Sequence, residues 1–382
     1  MVKSLKKIKW KHYINYVVIA ILTVVFGAMS LTGGLSTSTI YLLEKIAISV
    51  MLAVSLSMVV GFLGELSLGH AGFMCVGAYL GGKTALVLEN VIKNDFIVLL
   101  VSVVVGAVVA AICGIIIGLP ALRLRGDYLA IVTLAFGEIV RSIFMNSSDE
   151  SFGGALGLST PRYDKVTLFI IALVLVLACL AVTQNIIRSS HGRAITSIRD
   201  NEIAARATGI NVTKYKLLVF TVSSMFAGVA GVLYSFSNFT VQSTKFSYNY
   251  SIEILVMVVL GGMGSINGSI IAATLITFLD NILQTKLTGD LAVLQDLFYA
   301  LILIALVIYN NAPGLKAFRE TYNLRNVLKK LKMAKDHDPS KARDDEAKWD
   351  RVPTKIKMDE VLSVDLQVSS PYTPDKPDKE GK

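Results

Sequence analysis

Four groups of residues have types and spacings that can do chemistry. The first is a glycine-rich stretch, 61–73, that holds Gly64, Glu65, Ser67, Gly69 and His70. A carboxylate and an imidazole in apolar surroundings are costly to bury, so by default they mark a substrate or ion pathway. The second stretch, 261–268, holds Gly261, Gly262, Gly264, Ser265 and Gly268 and offers backbone rather than side-chain chemistry. The third group is Glu138 with Arg141, which share one face of a helix and can neutralise each other, so a structural pair accounts for them. In the fourth, residues 77–84 satisfy G-x-x-x-x-G-K-[ST], with Gly77, Gly82, Lys83 and Thr84 at the phosphate-cradling positions. That mechanism needs a strand before the loop and a helix after it, in a soluble α/β domain. Here the match falls inside an apolar run, where Gly and Thr commonly serve helix packing, and no nucleotide site is expected.

Other chemistries find no support. Cys75, Cys113 and Cys179 all lie in apolar runs, an odd count without paired spacing, which argues against a disulfide framework or a metal site. The four histidines are scattered, and no Ser/His/Asp or His/carboxylate constellation can be named. The expectation is a chain without catalytic residues, metal or cofactor.

The elements that must position these groups are membrane helices. The chain is 53% hydrophobic and only 17% charged, where soluble domains carry about 25% charged residues. A spanning helix needs about 20 apolar residues. Ten runs approach that length, at 13–30, 40–62, 73–88, 96–119, 128–145, 166–183, 217–236, 252–260, 270–283 and 291–309. The expected fold is therefore an all-α polytopic membrane protein of about ten transmembrane helices. The run 252–260 is short unless the glycines after it belong to the same span.

Lys and Arg set the orientation, because they concentrate in cytoplasmic loops. Lys3, Lys6, Lys7, Lys9 and Lys11 precede the first run, Arg123 and Arg125 follow the fourth, and Arg188, Arg193, Arg199, Arg206, Lys214 and Lys216 lie between the sixth and seventh. With ten spans all of these fall on one side, and both termini are expected in the cytoplasm. A basic start before an apolar run is also the pattern of a cleaved signal peptide, but the length of the run favours a retained anchor. The expected organisation is a basic N-terminus over 1–12, a transmembrane domain over 13–315 with a cytoplasmic loop at 185–216, and a charged tail over 316–382. Residues 316–335 can form a basic amphipathic helix on the lipid surface, and the rest of the tail, broken by prolines, reads as disordered. The net charge of +9 reports these loops and the tail, not nucleic-acid binding.

Within the loop at 185–216, residues 191–210 form a polar, basic segment between long apolar runs. Asp200 or Asn201 can cap a helix, Glu202 suits its positive end, and Gly209 can supply the left-handed residue that stops it. The result is a knob of about two turns. Ala204, Ala205 and Ala207 let another surface approach closely, and Arg199 and Arg206 offer charge at its edges; an ordinary solvated loop helix is the plainer alternative. The two glycine-rich stretches interrupt helices with too few polar residues for normal loops. Broken helices at corresponding places in two halves point to a transport pathway, and the flanks Val59–Val60–Gly61 and Val258–Val259–Leu260–Gly261 suggest a possible internal repeat. Tight turns with small-residue packing would leave the same pattern. Asp280 and Glu253 stand near the ends of their runs and read as interfacial.

Four ordered motifs, GELSLGHAGF (64–73), LPALRLRGDYLAIVTLAFGEI (119–139), GRAITSIRDNEIAARATGI (192–210) and GGMGSING (261–268), together resemble the LivM-type permeases of branched-chain amino-acid ABC importers over residues 40–315. The resemblance implies a transport subunit that is not an enzyme. It would pair with a second, LivH-like permease, be driven by two cytoplasmic subunits that bind the ATP, and be fed by an extracytoplasmic binding protein. Glu202, Ala204, Ala205 and Gly209 match the E-A-A…G pattern of importer coupling loops, which gives the knob, with Arg193, Arg199, Asp200 and Arg206, an ATPase groove as its partner. The glycine stretches would line or hinge the path. The long charged tail departs from the family pattern. Permeases for sugars or nucleosides share the architecture and are the nearer rival reading. An ion-coupled secondary transporter would need a paired carboxylate or His at the bilayer midplane and no knob.

Overall fold

A computed structural model of the chain describes residues 36–286, Arg125 apart, together with isolated positions at 26, 27, 29, 34, 297, 300, 301, 304 and 308. Small polar side chains start most of the long helices, each satisfying backbone amides that a helix leaves unpaired in its first turn. Ser36 caps α1 (Thr37–Ser57), which runs on as a π-helical turn, Met58–Leu63. Asn94 caps α3 (Asp95–Ala121), Asp164 caps α6 (Lys165–Arg188) and Asn211 caps α9 (Val212–Asn238). Glycines stand at the N-caps of α2 (His70–Glu89) and α4 (Asp127–Met145). The remaining helices are α5 (Asp149–Phe152), α7 (Ser190–Asp200), α8 (Glu202–Ala207), α10 (Tyr248–Gly261) and α11 (Ile266–Lys286). A two-stranded antiparallel pair, β1 (Leu158–Ser159) with β2 (Thr240–Val241), joins the loops before α6 and after α9.

Seven of the described helices are long and apolar enough to cross a bilayer: α1 with its π-helical turn, α2, α3, α4, α6, α9 and α11. With the shorter α10 they match, in order, eight of the ten runs expected from the sequence. The expected spans at 13–30 and 291–309, the basic N-terminus and the tail at 316–382 lie outside the described residues. The protein is thus an all-helical, multi-pass membrane protein. Helix α10, 14 residues long, is only about 21 Å and falls short of a ~30 Å hydrocarbon core.

Helix α9 lies at the centre, packed along α2 and α3, while α1 packs against α6, α9, α10 and α11. Close approach explains the nucleotide-loop match. Residues 77–84 run through the middle of α2, where a Cβ at Gly77 would strike the backbone of Gly228 in α9 and one at Gly82 would meet the Thr160 methyl at 2.9 Å. Helical hydrogen bonds occupy the amides that a phosphate cradle would need, and the Lys83 ammonium donates to the Glu150 carbonyl at 3.2 Å. At the periphery, α3 exposes Phe96, Leu100, Val104, Val108, Ile112 and Leu119 along one stripe, as a helix facing lipid does.

The loops sort to two ends of the bundle. At one end the C-terminus of α1, the start of α11 and helices α7 and α8 meet, because Gly61 abuts Gly264 and Arg199 reaches Gly61. At the other end lie the start of α1, the end of α9, the β pair and the end of α11, joined by Tyr41 donating to Asn238 at 2.8 Å and Lys45 facing Asp280 at 3.9 Å.

Candidate functional site

The segment 191–210 folds as two helices, α7 and then α8, the short knob between the expected cap and stop. The Ser189 hydroxyl accepts from the His191 amide at 3.1 Å to start α7, which buries Gly192, Ala194, Ile195 and Ile198. Asn201 then turns the chain in an extended conformation (φ −159°), and its side chain accepts from the Ala204 amide at 3.0 Å. Of the two caps the sequence allowed, Asn201 is the one used. Gly209 closes the segment at φ +86°, the left-handed conformation expected of it.

The inward face of α8 corrects the sequence reading. Ala205 is 4% exposed and belongs to the core cluster, so its side chain faces the bundle and not a partner. A helix of two turns must seat one face on its support, and the smallest side chain sits where α8 meets the bundle. The outward face carries Ile203, 72% exposed, with Ala204, Arg206 and Ala207. Arg193 is exposed on α7.

The charges also turn inward. Lys216, on the first turns of α9, has a side chain only 3% exposed; its ammonium donates to the Glu65 carboxylate and, at 3.1 Å, to Glu202. Glu202 in turn accepts from Arg206 at 2.8 Å. Arg199 was expected to offer its charge at the edge of the knob. Instead its guanidinium holds Asp200 through two nitrogens, at 3.1 and 3.0 Å, and donates from the third to the Gly61 carbonyl at 3.2 Å. Lys216 carried no signal beyond its place among the loop cations, since the contact with Glu65 joins residues 151 apart.

The first glycine stretch is shorter than the sequence suggests, because the π-helical turn extends α1 to Leu63. Gly64 ends it at φ +80°, tucked against the Arg199 stem: a Cβ there would lie 2.6 Å from Cγ. Residues 64–69 are non-helical and held from outside, with the Leu68 amide donating to the Thr133 hydroxyl at 3.0 Å and Gly69 packed on the Thr133 carbonyl. Ser67 and His70 are each 2% exposed, and His70 Nε2 is 2.9 Å from the Ser55 hydroxyl, a satisfied core position. The second stretch is a tighter turn. Gly261 ends α10, Gly262 and Gly264 take φ of +90° and +82°, and the Ser265 hydroxyl accepts from the Gly268 amide at 3.1 Å. Gly268 lies within α11, against Gly261, so these two serve close helix approach rather than a break. The breaks meet each other directly: a Cβ at Gly61 would lie 2.5 Å from the Gly264 amide nitrogen. None of the ten residues expected to line or hinge a path faces the cleft among Tyr41, Lys45, Tyr234 and Asp280, which opens at the opposite end.

Glu138 and Arg141 form the expected pair at 2.8 Å, and the second carboxylate oxygen accepts from the Tyr248 amide at 2.9 Å, capping α10. Among the described residues no cluster of His, Cys, Asp and Glu could hold a metal ion.

Comparison with known proteins gives this arrangement its family. The model of a family described as branched-chain amino acid transport system, permease component, matches residues 38–308. The high-affinity branched-chain amino acid transport system permease protein LivM of Escherichia coli is 32% identical over 78% of this chain and 75% of its own length. Its counterpart in Salmonella typhimurium is 36% identical over 60% of each chain. The ribose import permease protein RbsC of Escherichia coli is more distant, 25% identical over 71% of this chain and 84% of its own. No solved structure matches. The extent of these matches, which span every element of the site, shows that the chain belongs to the branched-chain amino acid transport permease family.

Proposed function

We propose that this chain is a membrane-spanning permease subunit of an ABC importer for branched-chain or other hydrophobic amino acids, with no ATPase site of its own. Two cytoplasmic partner subunits bind and hydrolyse ATP, a second LivH-like permease completes the path, and an extracytoplasmic binding protein delivers the substrate. In this reading the α7–α8 end of the bundle and both termini face the cytoplasm, in keeping with the Lys and Arg of the loop at 185–216. The tail at 316–382 is then cytoplasmic as well.

One observation carries the coupling role: Lys216 ties Glu202 of α8 to Glu65 of the first break. A driven permease needs a contact that differs between its states. A push on the exposed face of α8, at Ile203 and Arg206, reaches the break through that buried ammonium, and Arg199 carries the motion of α7 to Gly61. The two breaks act as hinges for α1, α10 and α11, rather than as the walls of the path.

The experiment uses the importer reconstituted with its partner subunits. Ile203→Glu places a charge on the exposed face without touching the core, and should abolish ATPase co-purification and leucine uptake together at normal membrane abundance. Ala205→Trp, by contrast, should lower the amount of folded chain, because that side chain points inward. Normal leucine uptake by Ile203→Glu would return α8 to a loop helix. Uptake of ribose in place of leucine by the unaltered importer would move the chain to the sugar class.

A further inference from the structure

At the end of the bundle away from α7 and α8, a cleft of about 300 Å³ opens between α1, α9, α10 and α11, at the lower end of the ~300–1,000 Å³ usual for small-molecule sites. Its wall is mixed: Tyr41, Tyr234, Phe246 and Ile48 give it apolar faces, Asn238 and Lys245 polar ones, and the sequence-expected interfacial residues Glu253 and Asp280 turn into it. Two cations, Lys45 and Lys245, and two anions, Glu253 and Asp280, line it, and one pair of them crosses it. The Lys45 ammonium of α1 stands 3.9 Å from the Asp280 carboxylate of α11, which also accepts from Gln284 at 2.9 Å. Beside them Thr277 lines the cleft, 5% exposed, and its hydroxyl oxygen has no hydrogen-bond partner. Buried hydroxyls are nearly always paired, so an orphan beside an open ion pair marks a place for a polar ligand.

Resting on the permease reading above, we propose that this cleft holds the zwitterionic head of an α-amino acid, with Asp280 receiving the ammonium, Lys45 the carboxylate and Thr277 a hydrogen bond to the head group. The exchange preserves charge balance at this pair: one long ion pair opens and two form, so neither Lys45 nor Asp280 is left without a partner. Tyr41, Tyr234, Phe246 and Ile48 take an apolar side chain, while a neutral sugar would leave Lys45 and Asp280 facing each other. Position supports the assignment. Helices α1, α10 and α11 each run from this cleft to one of the glycine breaks, so an occupant touches the far ends of these helices, of which α1 is the one that Arg199 and Lys216 hold.

The test uses the intact importer in nanodiscs, with Gln284→Cys as an exposed reporter in the cleft and Cys75, Cys113 and Cys179 replaced by Ala. Millimolar leucine should slow modification of the reporter by an impermeant thiol reagent severalfold, whereas leucinol, 4-methylpentanoate and ribose, which lack one or both charges, should not. Lys45→Met or Asp280→Asn should abolish the protection. In the chain with its native cysteines, each should also lower leucine uptake at least tenfold while the complex remains assembled. Equal modification with and without leucine, in an importer that takes up leucine, would overturn the cleft assignment and leave the permease reading standing. Equal protection by ribose or leucinol, or unchanged uptake by both charge variants, would overturn it too. An assembled importer that takes up no leucine at all would instead overturn the permease reading.

Discussion

The two glycine breaks look alike in sequence and are built differently. The first, from Met58 to Gly69, is a platform fixed from outside: Thr133 holds Leu68 and Gly69, Arg199 holds Gly61, and Lys216 holds Glu65. The second, Gly262 to Ser265, is a self-contained turn whose Gly262 has open space around the position of a Cβ. Glycine does two jobs here, permitting backbone contact at Gly61 and Gly69 of the first break and left-handed conformation in both, at Gly64 as at Gly262 and Gly264. The flanking Val-Val-Gly similarity that suggests a repeat is therefore not matched by equal construction. Under the proposed coupling role, strain applied at α7 and α8 would bear on the first break through Arg199 and Lys216, and on the second through Gly61 and the Arg199 guanidinium beside Gly264.

The sharpest way to break this contrast is Lys216→Met. Removing the ammonium leaves the Glu65 carboxylate, 13% exposed, facing the Glu202 carboxylate, 21% exposed, which keeps only its pairing with Arg206. A broken buried pair of this kind costs about 4 kcal/mol. Thermal unfolding of the purified chain in mild detergent should show the loss, and ATP-driven leucine uptake should fall with it. An unshifted unfolding temperature would mean that the first break is not anchored by charge, and the contrast would rest on glycine packing alone.

Gly61→Ala comes next. The added carbon meets the backbone of Gly264, which cannot rotate away as a side chain would, so the C-terminus of α1 must separate from the turn. Overpacking of this kind costs about 3 kcal/mol. Co-purification of the ATPase subunits should weaken in parallel, since the shift of α1 displaces the residue-61 carbonyl to which Arg199 donates. Retained stability with full uptake would show that the two breaks do not bear on one another.

Much of this was legible from residue order. Helix positions followed from the apolar runs, the Asn201 cap and Gly209 stop from local backbone chemistry, and the Glu138–Arg141 pair from one helical turn. What stayed hidden depends on which distant residues share an end of the bundle. Ala205 read as an outward contact because small residues suit both a partner's groove and a helix's own seat, and only packing tells which. Glu44 drew no notice within its apolar run. It is 1% exposed and accepts from the Ser237 hydroxyl at 2.7 Å, across 193 residues. Lys45 and Asp280 likewise belong to helices that no periodicity pairs, and the single neutral-looking Thr277 gives no sign in sequence that its hydroxyl lacks a partner.

Within the second break, Gly264→Val should cost about 2 kcal/mol, since a β-branched residue resists a positive φ and its methyl groups would press on the Gly61 carbonyl, 3.4 Å from the Cβ position. Uptake should fall more than the loss of folded chain explains, because the turn would still form but hinge poorly. Uptake that tracks the amount of folded chain would make Gly264 a packing residue only.

The smallest effect, and the one that sharpens the comparison most, belongs to Gly262→Ala. Nothing lies within 4 Å of its Cβ position, so the methyl group meets no atom of this chain and only the left-handed backbone, φ +90°, is penalised. That penalty is about 1 kcal/mol, and unfolding of the isolated chain should shift by a correspondingly small amount. In the assembled importer the same substitution becomes a probe of what covers the turn. Met263 beside it is 68% exposed, at the end of the bundle that carries Ile203. If the ATPase subunit seats over this turn as well as on α8, Gly262→Ala should weaken co-purification while leaving the isolated chain nearly as stable as before. If it touches α8 alone, assembly should be unchanged and only the backbone cost should remain. A loss in the isolated chain as large as that of Gly61→Ala would show that the second break is packed as tightly as the first, and the distinction between the two would fail.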